Sequence, residues 1–504
     1  MRFAIIGLPS ETRAWGKNDI TQNLEQVSRV TYGYDEGTFS QEPNQIIANP
    51  SQHDTANYGP AFTKRGNPTS TTRWEVPNNV TSVTSSVRYD IAGSPVAQID
   101  PLGRKVRIGY ADNFQPTQSF TTFAYPTTIT DPAGTSLGDN LHSSTVKYRY
   151  DIGANVEAVS PAPAGNTLGK KTTRLFDSVG RLEKETVVNS GAYTRYEYPS
   201  NGIQSKVFST IVDTNNNGAD TLDEVMSESW SDGAGRVRRS RTPHTFDSGG
   251  NVLTWAGSIV EYDILGRAKR QSVPTEVSVP NANDPDTWTP AGDDATRGWL
   301  WTYQKYDWKG RVIRKINTDG TDSSTLNDSD VLISYEGCGC AGGQVTTIQS
   351  EKVHVPDQGT THARRTEKIY ADILGREFKT ETFGWDGYTL YSRSITLLNG
   401  RDQAIEIQET DHNVQTPVTQ STKMTYDGHG RLASSHRPEQ LDSANNLKYT
   451  TYNYNIDDSI STVTDARGAS MTYSYNNQKL PVFVQYNVPQ GSSIEVPSNV
   501  VFTY

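Results

Sequence analysis

Tyr262-Asp263-Ile264-Leu265-Gly266-Arg267 spells out a turn between two strands. Asp at the first position accepts N–H bonds from the backbone that follows it. Gly at the fourth supplies the positive φ that returns the chain as a second strand. The same Asp-x-x-Gly spacing starts at Asp90, Asp100, Asp131, Asp177, Asp232, Asp247, Asp307, Asp372, Asp427 and Asp465, with turn glycines that include Gly103, Gly180, Gly235, Gly310, Gly375 and Gly430. Chance would give roughly three such spacings in a chain of this composition, so the motif is an internal repeat. In seven copies the Gly is followed by Arg: Arg104, Arg181, Arg236, Arg267, Arg311, Arg376 and Arg431. An aromatic residue directly precedes the Asp at Tyr89, Phe176, Phe246, Tyr262, Tyr306 and Tyr426, and stands one place earlier at Trp230 and Tyr370.

Composition agrees with a hairpin repeat. The 504 residues are only 34% hydrophobic, yet 10% are aromatic, and the mean hydropathy is -0.66. A disordered chain of this polarity would be poor in aromatics. Apolar content spent on rings points to thin sheets rather than Leu-rich helical cores, and helix is expected to stay below about 10%. Stretches 181–188 and 376–383 alternate or nearly so, as strands do. Polar side chains fall on both faces, as at Arg236, Arg238, Arg239 and Arg241. That suits a sheet wall wetted on both sides better than a sandwich with a packed interior. The aromatics before each Asp are expected to stack between neighbouring hairpins.

The net charge of -10 comes from scattered acids and bases with no Lys/Arg block, which argues against nucleic acid as a partner. No window approaches a membrane span. The apolar run 3–8 is too short for a secretory signal. Val500-Val501-Phe502-Thr503-Tyr504 reads as a strand that stops, so the chain is expected to be a segment of something longer. The expected division is a strand-rich border or cap over 1–85, then a repeat region over 86–504 with insertions near 208–226 and 275–300.

The segments Tyr262 to Arg267, Tyr306-Asp-Trp-Lys-Gly-Arg311, Tyr426-Asp-Gly-His-Gly-Arg431 and Phe176-Asp-Ser-Val-Gly-Arg181 closely resemble the YD repeats of RHS proteins, which also occur in insecticidal toxin complexes and teneurins. The resemblance implies an all-β fold of antiparallel β-hairpin repeats wound as a spiral sheet into a hollow shell, incomplete here. It further implies a non-enzymatic, secreted or cell-surface bacterial protein of the polymorphic-toxin kind. Its partner would be its own downstream toxin domain, or the rest of a longer chain, enclosed or presented by the shell. The other reading is a cell-surface adhesin or carbohydrate-binding array whose exposed Trp and Tyr stack on sugar rings. No nucleophile-elbow, zinc-protease or phosphate-loop motif is present, and the turn position of the Asp residues accounts for them better than catalysis does.

One metal motif stands out. Asp213, Asn215, Asn217, the Ala219 carbonyl, Thr221 and Glu224 occupy the liganding places of a twelve-residue calcium loop, so calcium is the cofactor to expect. The flanking segments look like strands rather than helices, and a solvated Asx-rich turn is the competing reading. Cys338-Gly-Cys340 lacks histidines at finger spacing. It reads as a local disulfide or as two thiols in a Gly-rich turn rather than as a zinc site.

Overall fold

The computed structural model describes residues 7–37, 50–51, 53–117, 121–132, 143–161, 169–199, 204–210, 224–247, 252–282, 284–319, 328–337, 343–355, 362–476 and 478–502. Strands hold 53% of the residues and helices 3%. The fold is all-β and built of antiparallel hairpins. Two compact units share the chain: Met1–Thr173 with Thr396–Gln408 and Gln420–Tyr504, and Arg174–Ile395 with Glu409–Thr419.

In the first unit each strand pairs antiparallel with the next: Glu11–Lys17, Leu24–Tyr34, Pro68–Trp74, Ser82–Tyr89, Pro95–Ile99, Lys105–Gly109, Thr128–Thr130, Ser143–Arg149 and Ala154–Val159. A second run, from Val418–Tyr426 through Leu432–His436, Thr450–Tyr454, Ile460–Thr464 and Ser470–Tyr475 to Pro481–Asn487, is laddered in the same way. The residues before 86 therefore continue the same hairpin ladder as those after it.

In the second unit the ladder runs from Leu182–Val187 to Leu390–Leu398, between chain neighbours except that Ala268–Ser272 pairs with Trp301–Tyr306 and Gln344–Gln349 with Thr366–Ala371, each across two short intervening strands. Consecutive antiparallel pairing makes successive turns alternate between two rims of a sheet. The turns at Asp177, Asp232, Asp263, Asp307 and Asp372 all fall on one rim of this unit.

Most of these hairpins slip register at or beside the residue before the Asp, as between Glu261 and Tyr262, Lys305 and Tyr306, and Thr425 and Tyr426. Such bulges bend the strand and raise its twist. Burial along the strands shows no clean apolar face: Lys105–Gly109, Trp301–Tyr306 and Ile460–Thr464 are half-buried at every position. This is a single-layer sheet with little two-sided packing.

The exception is the stretch near 275–300. It carries strands Thr275–Ser278 and Thr289–Pro290 and the short helices Pro285–Thr287 and Gly292–Ala295. Strand Thr275–Ser278 pairs with residues 255–257 of the main ladder. That lays Val277 and Trp288 on Trp230, all three buried. Asp284 caps the start of the first short helix, Pro285 opens it, and Val277 and Trp288 give the insertion a core.

Candidate functional site: a clasp repeated along the sheet

The turn at Asp263 shows how the motif is built. Gly266 N–H donates to the Asp263 carbonyl (2.9 Å) and Asp263 N–H to the Arg267 carbonyl (2.8 Å), closing the loop twice. One carboxylate oxygen of Asp263 accepts the N–H groups of Leu265 and Arg267, both at 2.9 Å, and the other accepts Arg267 Nε at 2.7 Å. Gly266 takes φ +83°, a conformation that Cβ sterics penalise in other residues. The turns at Asp100, Asp177, Asp232, Asp307, Asp372 and Asp427 repeat the same set of bonds. Those at Asp90 and Asp465 lack the Arg at the fifth place, where Ser94 and Ala469 stand. The turns from Asp131 and Asp247 run into residues outside those described.

Five of the seven, Arg181, Arg236, Arg267, Arg311 and Arg431, also reach the next hairpin. Arg267 lies over the Tyr306 ring at 4.5 Å, and the Tyr306 hydroxyl donates to the Ala268 carbonyl at 2.8 Å. Arg236 with Tyr262, Arg311 with Tyr335, Arg431 with Tyr454 and Arg181 with Tyr198 repeat both contacts, the hydroxyls bonding the carbonyls of Val237, Val312, Leu432 and Leu182. Arg267 and Arg431 add a third bond, from Nη1 to the backbone carbonyls of Asp307 and Asn455. The ring that precedes a turn thus stacks on the guanidinium of the preceding hairpin rather than on another ring. The clasp ties each turn to its own Asp and to the following Tyr, by a charge-assisted bond and a cation–π contact.

Electrostatics follow the wiring. The Arg236 guanidinium, with its backbone N–H, holds the Asp232 carboxyl below the usual carboxylate range. At Asp263 the backbone N–H of Arg267 leads the same effect. Asp90, with no Arg at its fifth place, is instead pushed up by burial.

Several turns of this build carry no Asp-x-x-Gly. Asn399, Asn455 and Asn476 take the place of Asp, and their N–H groups donate to Gln403, Ser459 and Leu480. The fourth residues Asp402, Asp458 and Lys479 adopt φ of 61°, 68° and 63° without being glycine. Asp35 makes a split version: it accepts from the N–H groups of Arg65, Gly66 and Asn67, across an intervening insertion.

Within the first unit, one set of turns seats on another. Asp19 N–H donates to the Leu398 carbonyl at 3.0 Å and Val76 N–H to the Gly428 carbonyl at 3.1 Å. Arg401 Nε donates to the Val27 carbonyl and its Nη2 to the Gly428 carbonyl, each at 2.7 Å. Arg73 pairs with Asp458 at 2.6 Å, and Arg104 bonds Asp457 as well as its own Asp100. The approach is close enough that a Cβ on Gly16 would strike the Gly400 backbone. The turns at 18–22, 75–81 and 100–104 therefore form one side of a seam, and those at 399–402, 427–430 and 455–458 the other.

In the second unit, Arg241 and Glu228 form a buried pair. The Arg241 guanidinium lies 4.1 Å over Trp255 and 5.1 Å over Trp230. Of the expected calcium ligands, Asp213, Asn215, Asn217, Ala219 and Thr221 lie outside the described residues, as do Cys338 and Cys340. Glu224 is described: its carboxylate accepts Arg195 Nε at 2.6 Å, Arg195 Nη2 at 2.8 Å and the Tyr193 hydroxyl at 2.7 Å. Arg195 holds its pKa below the usual range. Among the described residues no helix is long and apolar enough to cross a membrane.

No family model matches the chain, and no curated protein does. Among solved structures it is similar to a crystal structure of TcdB2-TccC3-TEV, at 12% identity and a TM-score of 0.41, over 96% of this chain and 27% of that one. It is also similar to a crystal structure of TcdB2-TccC3, at 14% identity and TM-score 0.32, over 97% of this chain and 26% of that one. A structure of the Photorhabdus luminescens Tc holotoxin pore matches at 11% identity and TM-score 0.33, over 96% and 26% of the two chains. The chain thus spans about a quarter of the length of the structures it resembles.

Proposed function

We propose that this chain is a non-enzymatic wall segment of an RHS-type toxin shell, enclosing or presenting an effector carried elsewhere on a longer polypeptide. The observation that carries this reading is a single-layer hairpin sheet, half-exposed on both faces, whose repeated Asp, Arg and Tyr are used up in holding one hairpin to the next. Such a wall needs little apolar core, because the clasps and ladders supply its order repeat by repeat. The rim-to-rim seam of the first unit supports it further, since stacked rims close a wall where free rims leave it open. Limited proteolysis and small-angle scattering test it on the chain alone and joined to its natural downstream sequence. Joining should yield a protease-resistant particle that retains the effector, and an effector left as accessible as in isolation would contradict it.

The carbohydrate-binding reading rests on Trp15. It is 60% exposed and lines a cleft of about 580 Å³ with Gln26, Asn399 and Arg401. A glycan array separates the two readings.

Calcium at Asp213, Asn215, Asn217, Ala219, Thr221 and Glu224 belongs to the same proposal as a local staple of the wall. There it would compete with Arg195 for the Glu224 carboxylate.

A further inference from the structure

Between strands Gln344–Gln349 and Thr366–Ala371, which pair directly with each other, the chain makes a side branch. Val353–His354 and His362–Ala363 form a two-stranded sheet of their own, in the register Val353 with Ala363 and His354 with His362. Two residue pairs are too few for ladder bonds alone to hold a ribbon together in water. The base of the branch is fastened, because Ser350 N–H donates to the Arg365 carbonyl at 2.9 Å and Arg364 Nη1 to the Ser350 carbonyl at 2.6 Å. At the described pair nearest the tip stand two exposed histidines, directly opposite each other.

We propose that His354 and His362 chelate a late first-row divalent transition cation, copper, nickel or zinc, and so staple the branch across its two strands. Directly opposed residues of an antiparallel pair project from one face with their Cβ atoms about 5 Å apart. Here the two imidazole centres are 5.7 Å apart with their planes at 82°. Two imidazoles that each bind a tetrahedral metal through one nitrogen at about 2 Å have their centres about 5 Å apart. A small rotation of either exposed side chain closes the difference. Among the described residues neither imidazole has a hydrogen-bond partner, whereas His53 and His436 hold the carbonyls of Ile91 and Lys448. The charged neighbours are engaged away from the pair: Lys352 pairs with Asp328 at 2.9 Å, and Arg364 turns to backbone carbonyls. Lys352, and after it His362, holds the Asp328 carboxyl below its ordinary range, which puts an ionised carboxylate within electrostatic reach of the pair. Imidazole nitrogen selects the transition cations over calcium and magnesium, which take oxygen donors. With two protein ligands, the remaining coordination positions fall to water. The inference stands whether or not the chain encloses an effector.

Calorimetric titration of the full chain with Ni²⁺, its Cys338 and Cys340 thiols alkylated beforehand, tests it. The wild type is expected to bind Ni²⁺, and His354→Ala and His362→Ala each to lose about tenfold or more in affinity. The double variant should lose little more than either, because the second bond of a chelate has no value without the first. His244→Ala, at an exposed histidine elsewhere in the same unit, should bind as the wild type does. All four substitutions lie at solvent-exposed side chains and should leave the circular dichroism unchanged. Substoichiometric Cu²⁺ should broaden the imidazole resonances of His354 and His362 ahead of those of the other histidines. A wild type that takes up no Ni²⁺ overturns the inference. So does uptake undiminished in both single variants, or losses that simply add in the double variant, which would mean two separate ligands rather than one chelate.

Discussion

Arg104 binds two aspartates from distant parts of the chain: Asp100 in its own turn and Asp457, 353 residues away. The Asp457 side chain is 1% exposed and that of Arg104 12%. Burial raises the pKa of Asp457, but the hydrogen bonds from Ser459 and Arg104 outweigh it and hold the group ionised. One residue thus closes a local turn and joins the two sides of the seam.

Asp457→Asn is expected to destabilise the first unit by about 2 kcal/mol, since Arg104 keeps Asp100 but loses a charge-assisted bond across the seam. Arg104→Ala should cost a similar amount, and the double variant less than the sum of the two. Urea unfolding of the three variants checks this. Strictly additive effects would mean that the pair is not coupled.

The seam should weaken on acidification in two steps. Burial, then the neighbouring Arg431, lowers the pKa of His429 from its ordinary 6.5. The folded form therefore binds fewer protons than the unfolded one just below that pH, and stability falls as pH drops through this window. Asp457 and Asp458, also lowered, add a second loss below about pH 4. Melting temperature followed from pH 8 to 3 on the wild type and His429→Gln isolates the first step, which the variant should lack.

Tyr306→Phe removes the hydroxyl that bonds the Ala268 carbonyl and leaves the ring under Arg267. It should cost about 1 kcal/mol. Tyr306→Leu, which also removes the cation–π contact, should cost roughly 1 kcal/mol more. Equal stabilities of the two variants would show that the ring contributes only area.

Much of this architecture was legible in Asp-x-x-Gly-Arg, because five bonds of the turn depend on the Asp and Gly themselves. The turns at Asn399, Asn455 and Asn476 escaped a search for Asp and Gly. Asn caps a turn as Asp does, and Asp402 and Asp458 tolerate positive φ well enough to replace Gly. Asp35 escaped because its partners Arg65 to Asn67 follow an insertion. Trp230 and Tyr370 stand one place off the clasp position. Strand alternation places them on the other face, Trp230 in the core with Trp288 and Tyr370 bonded to Glu381. The seam was not legible at all, since nothing local in Arg73 or Arg104 names a partner several hundred residues away.

If the loop from Asp213 to Glu224 takes calcium, affinity should lie between about micromolar and millimolar, with a rise in melting temperature by linkage. Arg195→Gln frees the Glu224 carboxylate and should tighten binding, whereas Asp213→Ala should abolish it. Titration calorimetry decides, and absence of heat in both the wild type and Arg195→Gln removes calcium from the account.

The central claim is containment by a wall held together at its seam. It is tested most directly by the protease half-life of the natural effector in the full-length chain, with the seam intact and with it broken by Arg104→Ala/Arg401→Ala. The account predicts an effector protected at least tenfold over its isolated form when the seam is intact, and cleaved as fast as the isolated form when it is broken. An effector cleaved at the isolated rate in the intact chain would contradict it.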